Sequence, residues 1–242
     1  MSFSAFEFNS SRKTVNSDTK KRIKHILWYV LECHKLMMED NITFSLSEIK
    51  KTRIKAENKF RNYLVDNYLR KNCHLFEGLA ETDHIYFDKE SEETFIQNEI
   101  EQTDKIDIYI RDSALKNSMR ENSENIYFAI ECKRIKIKSD SKEYVLDIQK
   151  YVERDHTNLR LPFEAQIAFI ENDKLTHKII SDEINIILKE TETIITDSFL
   201  IPEKLHSSFD DSYLSKHKKN FGNRNSFLIY HLMFNYSKVV LN

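Results

Sequence analysis

The sequence contains very little glycine and proline. Its 242 residues include only two glycines, Gly78 and Gly222, and two prolines, Pro162 and Pro202. Phosphate-binding loops of the P-loop and dinucleotide-binding types need closely spaced glycines, so the scarcity of glycine excludes both classes of nucleotide-binding protein. The turns of this chain must instead be formed by Asn, Asp, Ser and Lys residues.

Cysteine and long apolar runs are also scarce. The three cysteines, Cys33, Cys73 and Cys132, are far apart in the sequence and lack the spacing of metal ligands, which indicates reduced thiols. The N-terminal segment 1–17 has no apolar core typical of a signal peptide. No apolar run approaches the ~20 residues that a membrane-spanning helix needs. We therefore expect a cytoplasmic protein without a membrane partner.

The charges are nearly balanced but unevenly distributed. The net charge is -2, which taken alone argues against a dedicated nucleic-acid-binding protein. Residues 1–75 contain 15 basic and 8 acidic residues, whereas residues 76–112 contain 3 and 12. A basic half beside an acidic segment suits a phosphate-facing surface next to a cation-binding one. Solvated helix faces beside an acidic loop explain the same distribution equally well.

Helical periodicity dominates the first third of the chain. Residues 1–16 are expected to form a loosely packed arm, followed by a helix over 19–39 that Ser17 or Asp18 caps. After a short break, the apolar spacing predicts a longer helix over 48–71.

The pattern then changes to the period of two that marks half-buried strands. Short strands are expected over 84–88 and 94–101, joined by the acidic connection KESEET at 89–94. The two clearest strands are 104–112, with Ile106, Ile108 and Ile110 on one face, and 125–135.

The remaining segments complete an alternation of helices and strands. They are a helix over 143–154, an apolar strand over 165–170, a helix over 174–190, an extended segment over 193–200 and an aromatic strand over 226–236. This order predicts an α/β protein with a mixed β-sheet that is flanked by helices on both faces.

Three polar side chains share the polar faces of the two clearest strands. Asp107 lies on the first strand, while Glu131 and Lys133 lie two residues apart on the second and therefore on one side. If the strands pair in register, Asp107 and Glu131 converge, and two carboxylates in one notch suit Mg²⁺ or Mn²⁺. Lys133 beside the cation could orient or deprotonate an attacking water, or stabilise charge in a phosphoryl transition state.

The segments DKIDIYI and YFAIECKRI resemble the PD-(D/E)XK nuclease superfamily, which includes restriction endonucleases. Asp107 matches the first Asp of the family motif, and Glu131-Cys132-Lys133 matches (D/E)XK. Ile106 stands where the family pattern has proline.

The resemblance implies a restriction-endonuclease-like core over 45–200, preceded by an N-terminal arm and helix over 1–44 and followed by a C-terminal extension over 201–242. It implies Mg²⁺-dependent or Mn²⁺-dependent cleavage of nucleic acid, with double-stranded DNA as the expected partner, in restriction or antiphage defence. A homodimer or a larger defence complex is the implied assembly. The backbone carbonyl of Cys132 and the side chain of Glu57 are further implied metal ligands.

Other polar residues have a functional and a purely structural interpretation. Lys20, Lys21 and Arg22 could track a phosphate backbone, or they could form a solvated helix face. Gln149 and Lys150 could reach a phosphate from the helix 143–154, or belong to a plain amphipathic helix.

Three further candidates are open in the same way. His217 and His231 lack the Cys/His spacing of a metal site. His231 lies in a strand of Leu, Tyr, Met and Phe residues, so a packed, hydrogen-bonded histidine is favoured there. Gln166 could face the site or be a polar strand residue. Glu131 and Lys133 themselves could form a cross-strand ion pair of little energetic value.

Three functional hypotheses follow from the sequence. The first is a Mg²⁺-dependent endonuclease. The second is a catalytically inactive subunit of the same fold that binds nucleic acid or protein. The third is a helical regulatory or partner-binding protein built on residues 18–75.

Overall fold

The structure is a computed structural model that describes residues 5–76, 85–113, 127–154, 163–221 and 226–241, with side chains from residue 17 onward. The helices are α1 (Ala5–Glu39), α2 (Leu46–Lys50), α3 (Ala56–Leu64), α4 (Ser141–Glu153) and α5 (His177–Glu190). Helix α3 continues into a π-helical turn, Val65–Leu69, and short 3₁₀ turns follow at Cys73–Leu75 and Lys138–Asp140. The strands are β1 (Phe44–Ser45), β2 (Ile85–Gln97), β3 (Ile100–Asp112), β4 (Tyr127–Ile135), β5 (Phe163–Ile170), β6 (Thr196–Pro202), β7 (Ser212–Lys218), β8 (Ser226–Asn235) and β9 (Val240–Leu241).

Seven strands form one mixed sheet in the order β2-β3-β4-β5-β8-β7-β6. Strands β4, β5 and β8 run parallel to one another, and the outer pairs are antiparallel. Strands β1 and β9 form a separate parallel pair. The predicted α/β class with a mixed sheet is therefore confirmed.

Helices cover both faces of the sheet, as the sequence predicts. Helices α1 and α3 and the π-helical turn pack against one face, for example through Ile26 and Phe60. Helices α4 and α5 pack against the other face, for example through Ile148 and Ile184. All eight residues of β5 are buried, as a strand covered on both sides requires.

The predicted boundaries at residues 44 and 200 do not coincide with a break in the packing. Strand β8 lies in the sheet between β5 and β7, so the segment 201–242 supplies part of the central sheet. Helix α1 contributes Ile23, Leu27 and other residues to the same core cluster as the sheet. Because α1 shares this core, no separate helical module over 18–75 stands apart from the fold.

Helix α1 and the predicted helix over 48–71 differ from expectation. Helix α1 already begins at Ala5, within the predicted loose arm. The predicted helix over 48–71 is interrupted between α2 and α3, where the Thr52 hydroxyl donates to the Ile49 carbonyl at 2.7 Å and accepts from the Ile54 N–H at 3.2 Å. Such local side-chain bonds compete with the helical ladder.

The acidic segment KESEET also differs from expectation, because it lies within the continuous strand β2. The hairpin reverses at Asn98 and Glu99, whose φ values of 52° and 64° are those of a two-residue turn with left-handed backbone. Charged side chains are tolerated in β2 because it is the edge strand of the sheet.

None of the helices that the structure describes combines the length and apolar character needed to cross a membrane.

Candidate active site

A cleft of about 580 Å³ opens where β3 and β4 separate. Among the described residues, the two strands pair from Ile108 opposite Ile130 to Arg111 opposite Tyr127, so the start of β3 and the end of β4 diverge. The acidic residues that line the cleft are Glu57, Glu90, Asp104, Asp107, Glu131 and Asp147. The basic residues that line it are Arg53, Lys55, Lys105, Lys133, Lys150 and Arg154.

Asp107 lies at the point where the two strands part. Its Oδ2 accepts a hydrogen bond from the backbone N–H of Cys132 at 2.8 Å, so its carboxylate bonds the open edge of β4. The N–H and the carbonyl of one strand residue point to the same neighbour. The Cys132 carbonyl therefore lies at the same edge as Asp107, whereas the Cys132 side chain is buried in the core.

The apolar alternation of β3 changes at this point. Ile108 and Ile110 join the large core cluster, but Ile106 packs with Tyr127 and Ala129 in a separate small cluster. The expectation that the three isoleucines share one packing surface is therefore wrong. The change coincides with a left-handed residue on β2, Glu90, at φ 55°, which interrupts the β2–β3 pairing opposite Asp107.

A buried arginine holds Asp107 from the helical side. The Arg61 side chain on α3 is only 2% exposed, and its guanidinium binds Oδ1 of Asp107, Oε1 of Glu90 at 2.6 Å and Oδ1 of Asn62 at 2.9 Å. Burial lowers the pKa of Arg61, but the Asp107 carboxylate and its other partners outweigh burial and raise it overall. Arg61 is absent from the residues predicted from the sequence; it lies four residues after Glu57 on one helix face, but this spacing does not show which strand residue it binds.

Glu57 bonds the same edge of β4 one step further along. Its Oε2 accepts the backbone N–H of Arg134 at 2.8 Å. Burial raises the pKa of Glu57, and the nearby Asp107 and Asp147 charges add to this rise, while Lys133 and the Arg134 N–H oppose it. The pKa of Glu57 is raised overall, so its charged form is less favoured than the charged form of an exposed glutamate.

Lys133 pairs with an acidic residue of α4 that the sequence analysis did not identify. Its Nζ lies 2.9 Å from Oδ2 of Asp147, and the Lys150 Nζ lies 2.9 Å from Oδ1 of the same carboxylate. Burial lowers the pKa of Lys133, but Asp147, Glu57 and Asp107 outweigh it and raise the pKa above its ordinary value. Lys133 is therefore a cation at neutral pH, which argues against its expected role as a base and for stabilisation of negative charge.

Asp147→Asn is expected to lower the pKa of the Lys133 ammonium. The amide removes the nearest negative charge, while burial continues to disfavour the charged lysine. Nuclear magnetic resonance titration of ¹³Cε-labelled lysines measures the pKa directly. Glu143→Gln, at an exposed acidic position on the same helix, should leave Lys133 unchanged. An unaltered Lys133 pKa in the Asp147 variant would contradict the assigned cause.

The other predicted site residues divide into two groups. Glu131 and Lys150 line the cleft together with Asp107, Lys133 and Glu57. Gln149 is not among the lining residues, and its amide donates to Oε1 of Glu153 at 2.6 Å.

The predicted phosphate contacts on α1 also lie elsewhere. Arg22 binds Asp112 with an Nε–Oδ2 distance of 2.6 Å. Asp112 lies five residues beyond Asp107 on β3, or roughly 16 Å along an extended strand. Lys20 and Lys21 directly precede Arg22 on the same helix and do not line the cleft.

Gln166, His217 and His231 are buried away from the cleft lining. The amide of Gln166 donates to the Tyr144 carbonyl at 3.2 Å. His231 Nδ1 bonds the Tyr144 hydroxyl at 2.9 Å, and its Nε2 bonds the Ser215 hydroxyl at 2.8 Å. His217 Nε2 bonds the other side of Ser215 at 2.8 Å. The expectation of a packed, hydrogen-bonded His231 is confirmed, and His217 is bonded in the same way.

The donor set of the cleft has the chemistry of a site for a hard cation. Among the described residues, no group of three or more His, Cys, Asp or Glu side chains converges closely enough to hold a metal ion. However, Mg²⁺ commonly takes one or two carboxylates and completes its shell with waters and substrate phosphate. Each carboxylate oxygen has two lone pairs, so Asp107 retains acceptor capacity beside Arg61 and Cys132. The residues present therefore fit a largely hydrated Mg²⁺.

Comparison with known proteins does not assign the chain to a family. No family model, no curated protein and no solved structure matches it. The interpretation of the cleft therefore depends on the chemistry of its own residues.

Proposed function

We propose that this protein is a Mg²⁺-dependent or Mn²⁺-dependent nuclease with a restriction-endonuclease-like core. The observation that carries the proposal is that Asp107, Glu131 and Lys133 line one cleft where two adjacent strands separate. DNA is the proposed substrate. The setting in restriction or antiphage defence rests on the family resemblance alone.

The lining residues have distinct roles in this proposal. Asp107, Glu131 and the Cys132 carbonyl would hold the cation, which supplies positive charge to the phosphate when bound. The Lys133 ammonium stabilises the negative charge that develops on the phosphate during hydrolysis. Asp147 keeps that ammonium charged and in place.

The attacking water must give up its proton to a group other than Lys133. Glu57 is suited to this task, because a carboxylate with a raised pKa is a better proton acceptor at neutral pH. The same shift makes Glu57 a weaker choice as a metal ligand than Asp107 or Glu131. We therefore assign Glu57 the role of proton acceptor in place of its tentative role as a ligand.

The direct test is cleavage of supercoiled plasmid DNA by the purified protein with Mg²⁺, with Mn²⁺ and with a chelator. We expect cleavage only with a divalent metal, and a loss on the order of 100-fold or more in Lys133→Ala and in Glu131→Gln, because each removes a charge from the reacting centre. Lys20→Ala, on α1, should cleave like the wild type. Absence of cleavage with both metals, or equal cleavage by all three variants, would overturn the proposal.

A second candidate function is a non-catalytic subunit of the same fold. The hydrogen bonding of Asp107 favours this function. Both carboxylate oxygens of Asp107 already accept hydrogen bonds, from Arg61 and from the Cys132 N–H. Calorimetry separates the two functions. Absence of divalent-metal binding, together with unchanged or increased nucleic-acid affinity in Asp107→Asn, would support the non-catalytic subunit.

A further inference from the structure

The mouth of the cleft carries three exposed cations, Arg53, Lys55 and Lys105. In the part of the chain that the structure describes, no carboxylate pairs with any of them. They differ in this respect from Lys133 and Lys150, which share the Asp147 carboxylate at 2.9 Å each.

The acids of the cleft are engaged by other groups, which explains why the three cations are left without partners. Arg61 binds Asp107 and Glu90. Arg154 binds Asp104 at 2.7 Å. The negative charge on the cleft floor is thus largely balanced from within, and the positive charge at the mouth faces solvent.

The backbone places these cations on two walls of the cleft. Arg53 and Lys55 belong to the segment between α2 and α3 that the Thr52 hydrogen bonds shape, and Lys55 is the extended N-cap residue that precedes α3. Lys105 lies on β3 two residues before Asp107, or about 7 Å along the strand. Positive groups from two separate segments of the chain therefore line the cleft together with its acidic residues.

We propose that Arg53, Lys55 and Lys105 form a phosphate-binding rim that holds the backbone of a nucleic-acid strand across the cleft. This rim replaces Lys20, Lys21 and Arg22 as the main contact to the backbone. The inference rests on the proposed nuclease function for the identity of the polyanion. Exposed cations without partners suit this task, because they lose no ion pair when they bind phosphate and they release the counterions of the nucleic acid.

Binding is measured by fluorescence anisotropy with a labelled DNA duplex in the presence of a chelator, so that no cleavage occurs. The test protein is the triple variant Arg53→Gln, Lys55→Gln, Lys105→Gln. The matched control replaces three cations outside the cleft with the same change in charge, as Lys20→Gln, Lys21→Gln, Lys178→Gln. The replaced side chains are surface residues, and thermal unfolding verifies that both variants fold.

Each lost phosphate contact should reduce the slope of log K against log salt by about 0.9. We expect the rim variant to reduce the slope by about 2–3 and the affinity by roughly 10-fold or more at a fixed salt concentration, whereas the control changes the slope by less than about 1. A control effect equal to that of the rim variant, or absence of DNA binding by the wild type, overturns the rim. Binding with this pattern but without cleavage in Mg²⁺ overturns the proposed function and leaves the rim in place. If the rim variant instead cleaves DNA and binds it with unchanged affinity, the rim is overturned and the proposed function stays in place.

Discussion

Replacing Arg61 with alanine is expected to lower the free energy of unfolding by about 3–5 kcal/mol, as for other buried ion pairs that lose one partner. The Arg61 side chain is 2% exposed and binds two carboxylates, Asp107 and Glu90. Its removal leaves the half-buried Asp107 carboxylate without its cation and empties a large buried volume beside β3. Equilibrium urea denaturation of the wild type and the variant measures the loss.

Arg70, a few residues further along the chain, provides a matched control. It also binds two carboxylates, Asp66 at 2.9 Å and Asp88 at 2.6 Å, but its side chain is 36% exposed. Exposed ion pairs contribute about 1 kcal/mol or less. Arg70→Ala should therefore cost much less than Arg61→Ala. Similar losses of unfolding free energy in the two variants would contradict the larger contribution expected of the buried Arg61 ion pairs.

Acidification from pH 7 to pH 5 is expected to cost about 2 kcal/mol for each of three buried histidines. Burial lowers the pKa of His34 to about 3 and that of His217 to about 4, and it lowers the pKa of His231 well below its ordinary value. The unfolded chain takes up protons at these residues below about pH 6.5, whereas the folded protein does not. Stability is therefore complete above that pH and is lost as the pH falls toward the folded pKa values.

The combined loss of about 6 kcal/mol is comparable with the whole stability of a typical domain, about 5–15 kcal/mol. Urea midpoints measured between pH 7 and pH 5 test this expectation. His34→Phe should flatten the pH dependence by about one third, because it removes one of the three histidines. The fold should tolerate this change, because the His34 ring stacks on Phe234 at 3.7 Å between centroids and a phenyl ring fits this contact. His74→Gln, at an exposed position, should leave the pH dependence unchanged. A flat profile in the wild type would contradict the assignment of neutral buried rings.

The alternation of β4 was enough to predict which of its side chains line the cleft. On β4, Phe128, Ile130 and Cys132 pack on the core side, as the period of two requires. Glu131 and Lys133 consequently emerge on the other side, where the cleft opens. Periodicity predicts such features because it is a local property of one strand.

The partners of Arg61 and Asp147 could not be predicted from the sequence, because they depend on contacts between distant segments. Nothing in the helical pattern of α3 or α4 states which strand the helix will cover. The choice between a base and a cation at Lys133 stayed open for the same reason, since it depends on an acidic partner 14 positions away. The central position of β8 was equally hidden, because an aromatic strand pattern does not reveal its neighbours.

The separation of β3 from β4 has a consequence for the choice of inactive variants. Beyond Ile130, the side chains of Asp107 and Glu57 replace a neighbouring strand by accepting the N–H groups of Cys132 and Arg134. The candidate ligand and the candidate base thus also close the hydrogen bonding of an open sheet edge. An isosteric amide at either position retains an acceptor oxygen, whereas alanine leaves a backbone donor unsatisfied. In an alanine variant, loss of activity therefore cannot be distinguished from loss of the fold.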